Sequence, residues 1–167
     1  GIHGLSKLGF MIQSKVNFEN VSLNKRLISK SIKHFCQPQV YPNFLKNLLK
    51  TRSNKKITRV GCTDSSDGLF QAIQDLAIAS KCKAIINYEK IPKDKNWPQG
   101  NKWDEYYFFG GEDYELVFSL PKKWANKLSK LDKNICEIGY FTHGEPSIEF
   151  KDKSKNQLLK KAAFKHF

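Results

Sequence analysis

Residues 62–76 read CTDSSDGLFQAIQDL, and the division of that stretch decides how the chain around it is organised. Its second half sets Leu69, Ile73, Leu76 and then Ser80 along one stripe, widened by Phe70 and Ala77, which is the 3.6-residue period of a helix burying one face. Its first half is acidic and hydroxylated, with Asp64 and Asp67 bracketing two serines ahead of Gly68. Just upstream, ITRVGC at 57–62 is rich in β-branched and apolar side chains and follows the polar turn TRSNKK, so a strand is expected there. The helix is then expected to begin at Ser66 or Asp67, and the acids sit where strand hands over to helix.

The same reading extends outward. Apolar residues at three- and four-residue steps predict helices over 24–35 (Leu27, Ile28, Ile32, Phe35) and 42–50 (Phe44, Leu45, Leu48, Leu49), separated by Pro38 and Pro42. KAIINY at 83–88 reads as a strand, and 89–101, with Pro92, Pro98 and Gly100, as a loop or substrate lid. A short helix over 103–109 closes on Gly110-Gly111. YELVFSL at 114–120 alternates as a half-buried strand does, with Tyr114, Leu116 and Phe118 on one face and Glu115, Val117 and Ser119 on the other. Pro121 suits the first turn of a helix reaching Leu131, and strands at 135–141 and 147–150 precede a lysine-rich tail ending AAFKHF. Helices alternating with strands around one core define an α+β class, a mixed β-sheet flanked by helices, as a single domain over 1–167.

Charge tests the obvious alternative. Lys and Arg number 29 against 16 Asp and Glu, a formal net charge of +13 that makes a nucleic-acid-binding module the first rival reading. Only Arg26, Arg52 and Arg59 carry the guanidinium fork that phosphates and base edges favour. The lysines lie in scattered pairs such as Lys55-Lys56 and Lys122-Lys123, the pattern of a solvated surface, and no nucleic-acid partner is expected. Cys36, Cys62, Cys82 and Cys136 form no CxxC pair and have no histidine at ligand spacing, so neither a zinc site nor a disulfide framework is expected. No apolar run approaches the roughly 20 residues that span a bilayer, and a soluble, cytoplasmic protein without a membrane partner is expected.

In a chain this basic, acids gathered at a helix start need a reason. A helix N-terminus offers unpaired N–H groups and partial positive charge to a phosphate, and two carboxylates there would repel it unless a cation stands between. Mg²⁺ resolves the conflict, because it takes one or two carboxylates together with phosphate oxygens. Asp64 and Asp67, three residues apart, can converge on one ion, with Ser66 offering a hydroxyl and an N–H to a nucleotide. The bland alternative is a capped helix, since Asp and Ser are common N-caps. A second signal stands at 110–118, GGEDYELVF, where Glu112, Asp113 and Glu115 cluster beside a strand and Glu112 lies at its mouth. Gly110-Gly111 there also fits a plain helix C-cap.

DSSDGL followed by GGEDYELVF resembles the thiamine-monophosphate kinases of the AIR synthetase-like ATP-binding superfamily. D-x-S-D-G is shared across that superfamily, whereas GGEDYEL is specific to the thiamine-phosphate kinases. The ending Ala163-Phe164-Lys165-His166-Phe167 is similar to their aromatic-x-His-Phe terminus, and GIHGLSKLGF at 1–10 resembles the junction between their two domains. The resemblance therefore implies the C-terminal half of a two-domain enzyme, its N-terminal ATP-binding and dimerisation domain lying outside this sequence, and a homodimer when complete.

It implies further that ATP phosphorylates thiamine monophosphate to thiamine diphosphate, with Asp64 and Asp67 as catalytic Mg²⁺ ligands, Ser66 as an ATP contact, and Glu112 and Phe164 binding the thiamine phosphate. The acceptor oxygen is already anionic, so no general base is needed; His3, His34, His143 and His166 are given no catalytic role, and this chain alone is expected not to turn over. Leu5, Ala163 and Lys165 depart from the resembled pattern. Another AIR synthetase-like enzyme with a different acceptor, and a degenerate domain that keeps the fold without chemistry, are the remaining alternatives.

Overall fold

In the computed structural model, residues 2–18, 21–39, 41, 43–52 and 60–160 are described. They run α1 (Leu5–Gln13), α2 (Lys25–Cys36), α3 (Asn43–Thr51), β1 (Gly61–Asp64), α4 (Leu69–Ser80), β2 (Lys83–Ile86), a 3₁₀ turn at Tyr88–Lys90 and α5 (Asn101–Phe109). β3 (Leu116–Ser119), α6 (Lys122–Leu131), β4 (Gly139–Thr142), β5 (Ser147–Phe150), a second 3₁₀ turn at Lys153–Lys155 and α7 (Asn156–Leu159) complete the order. The α+β class and the mixed sheet are as expected, but the strands divide into two sheets. β2 pairs antiparallel with β4 and parallel with β5, while β1 pairs only with β3, antiparallel, in the register Gly61↔Ser119 to Asp64↔Leu116.

The core forms where α4, α5 and the three-stranded sheet meet. Leu69, Ile73 and Ala77 on one face of α4 are buried with Ala84 and Ile86 of β2, Tyr107 and Phe108 of α5, and Phe150 of β5, whereas Ser80 at the end of the α4 stripe is exposed. Aromatic rings interlock at angles that favour edge-to-face contact: Tyr88 and Phe150 lie 5.4 Å apart at 90°, Phe108 and Phe150 5.0 Å apart at 54°. The stretch 89–101, read as a loop or lid, packs on the core in this structure. Ile91 and Trp97 are buried in the core, and the Trp97 indole N–H donates to the Trp103 carbonyl at 3.2 Å, so apolar burial pins the segment down. Trp124 is buried too, its N–H donating to Thr51 Oγ1 at 3.0 Å and joining α6 to α3.

The opening glycine-containing stretch, read in sequence as a domain junction, forms α1. Gly4 stands at its N-cap with φ 79°, and Leu5 and Leu8 are buried. Gly9 lets α2 approach closely, since a Cβ there would lie 2.3 Å from the Ser31 carbonyl oxygen. Leu5, which departs from the resembled pattern, is 1% exposed, so an apolar side chain suits the site. β1 reaches two residues further into the acidic run than the composition predicts, because the β3 ladder extends to Asp64; residues 57–59 of the expected strand, and Phe164 with the rest of the terminal signature, lie outside the described residues. Among the described residues no helix is long and apolar enough to cross a membrane.

Candidate active site

The antiparallel ladder brings the two acidic motifs together, because β1 ends at Asp64 opposite Leu116, where β3 begins. Backbone bonds then weld them. Ser65 N–H donates to the Glu115 carbonyl at 2.9 Å, Glu115 N–H returns a bond to Ser65 Oγ at 3.1 Å, and Glu112 N–H donates to the Ser66 carbonyl at 2.7 Å. Ser65 is wholly buried between them. Two glycines admit this approach: a Cβ on Gly111 would lie 2.4 Å from the Ser66 oxygen, and one on Gly68 2.8 Å from the Phe109 oxygen.

The bland explanation of DSSDG does not hold. Helix α4 starts at Leu69, later than the acids suggest, because Gly68 at φ 95° is its N-cap and no side chain caps it. Asp64 instead closes a tight turn, accepting the Ser66 N–H at 2.9 Å. Hydrogen bonds from the Ser66 hydroxyl and N–H hold the Asp64 carboxyl below the usual carboxylate range. In this structure the Ser66 N–H, expected to face a nucleotide, is donated to Asp64.

The three acids of GGEDYE separate by side. Asp113 and Glu115 are buried, whereas Glu112 and Tyr114 face outward with Asp64, Asp67 being half-buried. The Tyr114 hydroxyl donates to Glu112 Oε2 at 2.7 Å. That bond, then the charge of Glu112, holds Tyr114 above the ordinary phenol range, with smaller contributions from Asp64 and Asp67.

On the inner side, Asp113 accepts N–H bonds from Gly4 at 2.6 Å and Ser6 at 2.9 Å, so the acidic loop carries the start of α1. His34 lies beside it, its Nδ1 3.0 Å from Ser6 Oγ and its Nε2 3.8 Å from Glu115 Oε1, and the Tyr41 hydroxyl donates to Glu115 at 3.3 Å. His3 is buried and its imidazole is pushed down to about 3 by that burial. Both histidines pack on this inner side of the loop, within 3.8 Å of the Asp113 carboxylate. Asp113, Tyr114 and Ser65 were missed as individuals in sequence, although the two-residue alternation of 112 and 114 against 113 and 115 carried the signal.

Asp64, Ser66, Asp67 and Glu112 come together at one surface edge. A cavity of about 780 Å³ opens elsewhere, among α4, β3, α6 and β4, and none of the four lines it. Three of the described lysines are engaged away from this edge: Lys30 pairs with Asp94 at 2.7 Å, Lys83 with Glu149 at 2.6 Å, and Lys93 sits 4.0 Å from the Tyr88 ring centre while pairing with Asp104. Among the described residues no three His, Cys, Asp or Glu side chains form a closed metal cage. The donors instead suit an open site, where Mg²⁺ takes one or two carboxylates and draws its other ligands from phosphate and water.

Fold and site together define an α+β domain of the AIR synthetase type, built around a strand-end acidic turn interlocked with a glycine-glutamate loop. Residues 42–151 match the AIR synthase related protein, C-terminal domain, and the chain belongs to that family. It is similar to the thiamine-monophosphate kinase of Prochlorococcus marinus, 33% identical over 168 residues that cover 100% of this chain and 50% of that protein. It also resembles the crystal structure of thiamine-monophosphate kinase from Stenotrophomonas maltophilia, with a TM-score of 0.68 at 19% identity over 90% of this chain and 48% of that one. A third likeness is to AaThiL complexed with AMPPCP and TMP, with a TM-score of 0.65 at 24% identity over 90% and 45% of the two chains. The chain spans about half the length of the curated relatives it matches.

Proposed function

We propose that this chain is the C-terminal half of an ATP-dependent kinase that converts thiamine monophosphate to thiamine diphosphate. The observation that carries the reading is the 2.7 Å bond from Glu112 N–H to the Ser66 carbonyl, which fixes the acids of one motif beside the glutamate of the other. A phosphoryl transfer between two bound anions needs such a junction of a nucleotide side and an acceptor side. The kinase names of the relatives, and a neighbour bound to AMPPCP, an ATP analogue with a non-cleavable β–γ link, together with TMP, support it.

In the reaction, the bond between the γ-phosphorus of ATP and its bridging oxygen breaks, one forms to a phosphate oxygen of thiamine monophosphate, and ADP leaves. Asp64 and Asp67 would hold Mg²⁺, which when bound neutralises charge on the phosphates. The Ser66 hydroxyl, directed at Asp64 here, would turn to the nucleotide. Glu112 accepts N–H bonds from the aminopyrimidine end of the acceptor, and Phe164 would line the same site. The remaining cleft and a dimer interface would come from an N-terminal domain, so this chain by itself should bind without turning over.

Asp67→Asn keeps size and removes charge. In the complete enzyme it is expected to lower kcat about 100-fold or more, while thermal unfolding of the variant stays within about 2 °C of the parent. Thiamine diphosphate formation at the parental rate would sink the assignment, and a complete protein that phosphorylates an aminoimidazole ribotide precursor but not thiamine monophosphate would transfer it to another acceptor.

A further inference from the structure

We propose that Tyr114 is a positioning residue, whose hydroxyl aims the Glu112 carboxylate at the cationic, N–H-bearing heterocyclic end of the acceptor; this rests on the kinase reading above. Glu112 at φ 68° and Tyr114 at φ 51° are both in the left-handed region, which non-glycine residues seldom enter and which the surrounding structure must impose. Asp113 between them is what imposes it. Its buried carboxylate is held by the N–H groups of Gly4 and Ser6, so the residues on either side must swing outward together. The result is the 2.7 Å bond from the Tyr114 hydroxyl to Glu112 Oε2.

Packing does not account for Tyr114, which is 44% exposed and stands outside the core. What it does is occupy Oε2 of an exposed carboxylate, so that one oxygen is held by the phenol while the side chain stays open to solvent. Asp64 and Asp67 flank Ser66, whose carbonyl accepts the Glu112 N–H at 2.7 Å, so without a cation the carboxylates of this edge disfavour the phosphate end of a substrate and favour a positively charged or N–H-donating ring. A flat cationic ring can also lie on the exposed phenol face.

The test is a double-substitution cycle in the complete enzyme with Tyr114→Phe, Glu112→Gln and the pair. Tyr114→Phe retains the ring and removes only the hydroxyl. It is expected to raise KM for thiamine monophosphate about fivefold, the scale of one net hydrogen bond, with kcat and the KM for ATP held within about twofold. In the Glu112→Gln background the same change should add little, because the oriented carboxylate is already gone. A residue that merely supported the fold would instead lower kcat and both affinities together. An unchanged KM in Tyr114→Phe, or an equal fivefold loss in both backgrounds, overturns the proposal while leaving the kinase reading standing. A parent enzyme with no measurable affinity for thiamine monophosphate overturns both.

Discussion

Gly111→Ala is expected to lower the unfolding free energy by about 2–4 kcal/mol, read as a fall in the urea midpoint at unchanged slope. The added methyl would sit 2.4 Å from the Ser66 carbonyl oxygen, closer than real Cβ contacts allow. The atom it meets is backbone, so no side-chain rotation relieves the clash, and one of the two loops must withdraw. Withdrawal breaks the Glu112 N–H to Ser66 bond and strains the reciprocal pair between Ser65 and Glu115, three backbone-anchored bonds within a few residues. Leaving buried groups of this kind unpaired costs about 1–3 kcal/mol each where no water reaches them. Because the same bonds hold Asp64 and Glu112 on one edge, the variant should lose affinity for nucleotide and acceptor together, unlike Tyr114→Phe. A Gly111→Ala protein as stable as the parent would mean that the two motifs are neighbours without being interlocked.

Much of this was legible in the sequence, and the parts that were not share a physical cause. Helices α2 and α6 and strand β5 declare themselves because each buries one face, and the period of that face is written in consecutive residues; α3 also forms where its period predicts, but Leu45 and Leu49 of its expected stripe are 61% and 59% exposed. Helix α1 does not, since Gly4 and Gly9 argue locally against a helix and are explained only by partners distant in sequence, Asp113 above the N-cap and Ser31 across the helix pair. The start of α4 slipped for the same reason: Gly68, the N-cap at φ 95°, packs against the Phe109 carbonyl, where a Cβ would lie 2.8 Å from the oxygen. The division of strands into two sheets depends on long-range pairing that no local pattern records.

At the site, residue type identified Asp64, Ser66, Asp67 and Glu112 as a group, and the structure brings them to one edge. It did not distinguish Glu112, exposed, from Asp113, 2% exposed, because charge counting is blind to the side of the chain a residue faces. The +13 charge is likewise a sum that does not record which lysines are paired, and Lys30, Lys83, Lys93 and Lys155 are turned to Asp94, Glu149 and Asp104.

Asp113→Ala is expected to be the most damaging single change, at about 3–5 kcal/mol. Helix α1 has no side-chain cap of its own and no acid in its first turn, so the Asp113 carboxylate serves as both from another part of the chain. Truncation leaves the Gly4 and Ser6 N–H groups buried without their acceptor, and hydrogen exchange should show α1 losing protection before the core helices do. The pH dependence of the deficit tests the cause. Burial, opposed by the Ser6 and Gly4 N–H groups, pushes the Asp113 carboxyl up to about 6 from its ordinary 3.8. A raised acid binds its proton more readily in the native state than in the unfolded chain, so its contribution is fully present below pH 4 and is lost as pH rises through 6. Among the titratable groups facing it, His3 stays neutral across that window, and His34 and Glu115 are common to parent and variant. The difference between Asp113→Ala and parent should therefore be larger at pH 4 than at pH 7. A deficit independent of pH between those values would show that burial does not raise the Asp113 carboxyl in the native state, leaving its bonds to Gly4 and Ser6 as the source of the loss.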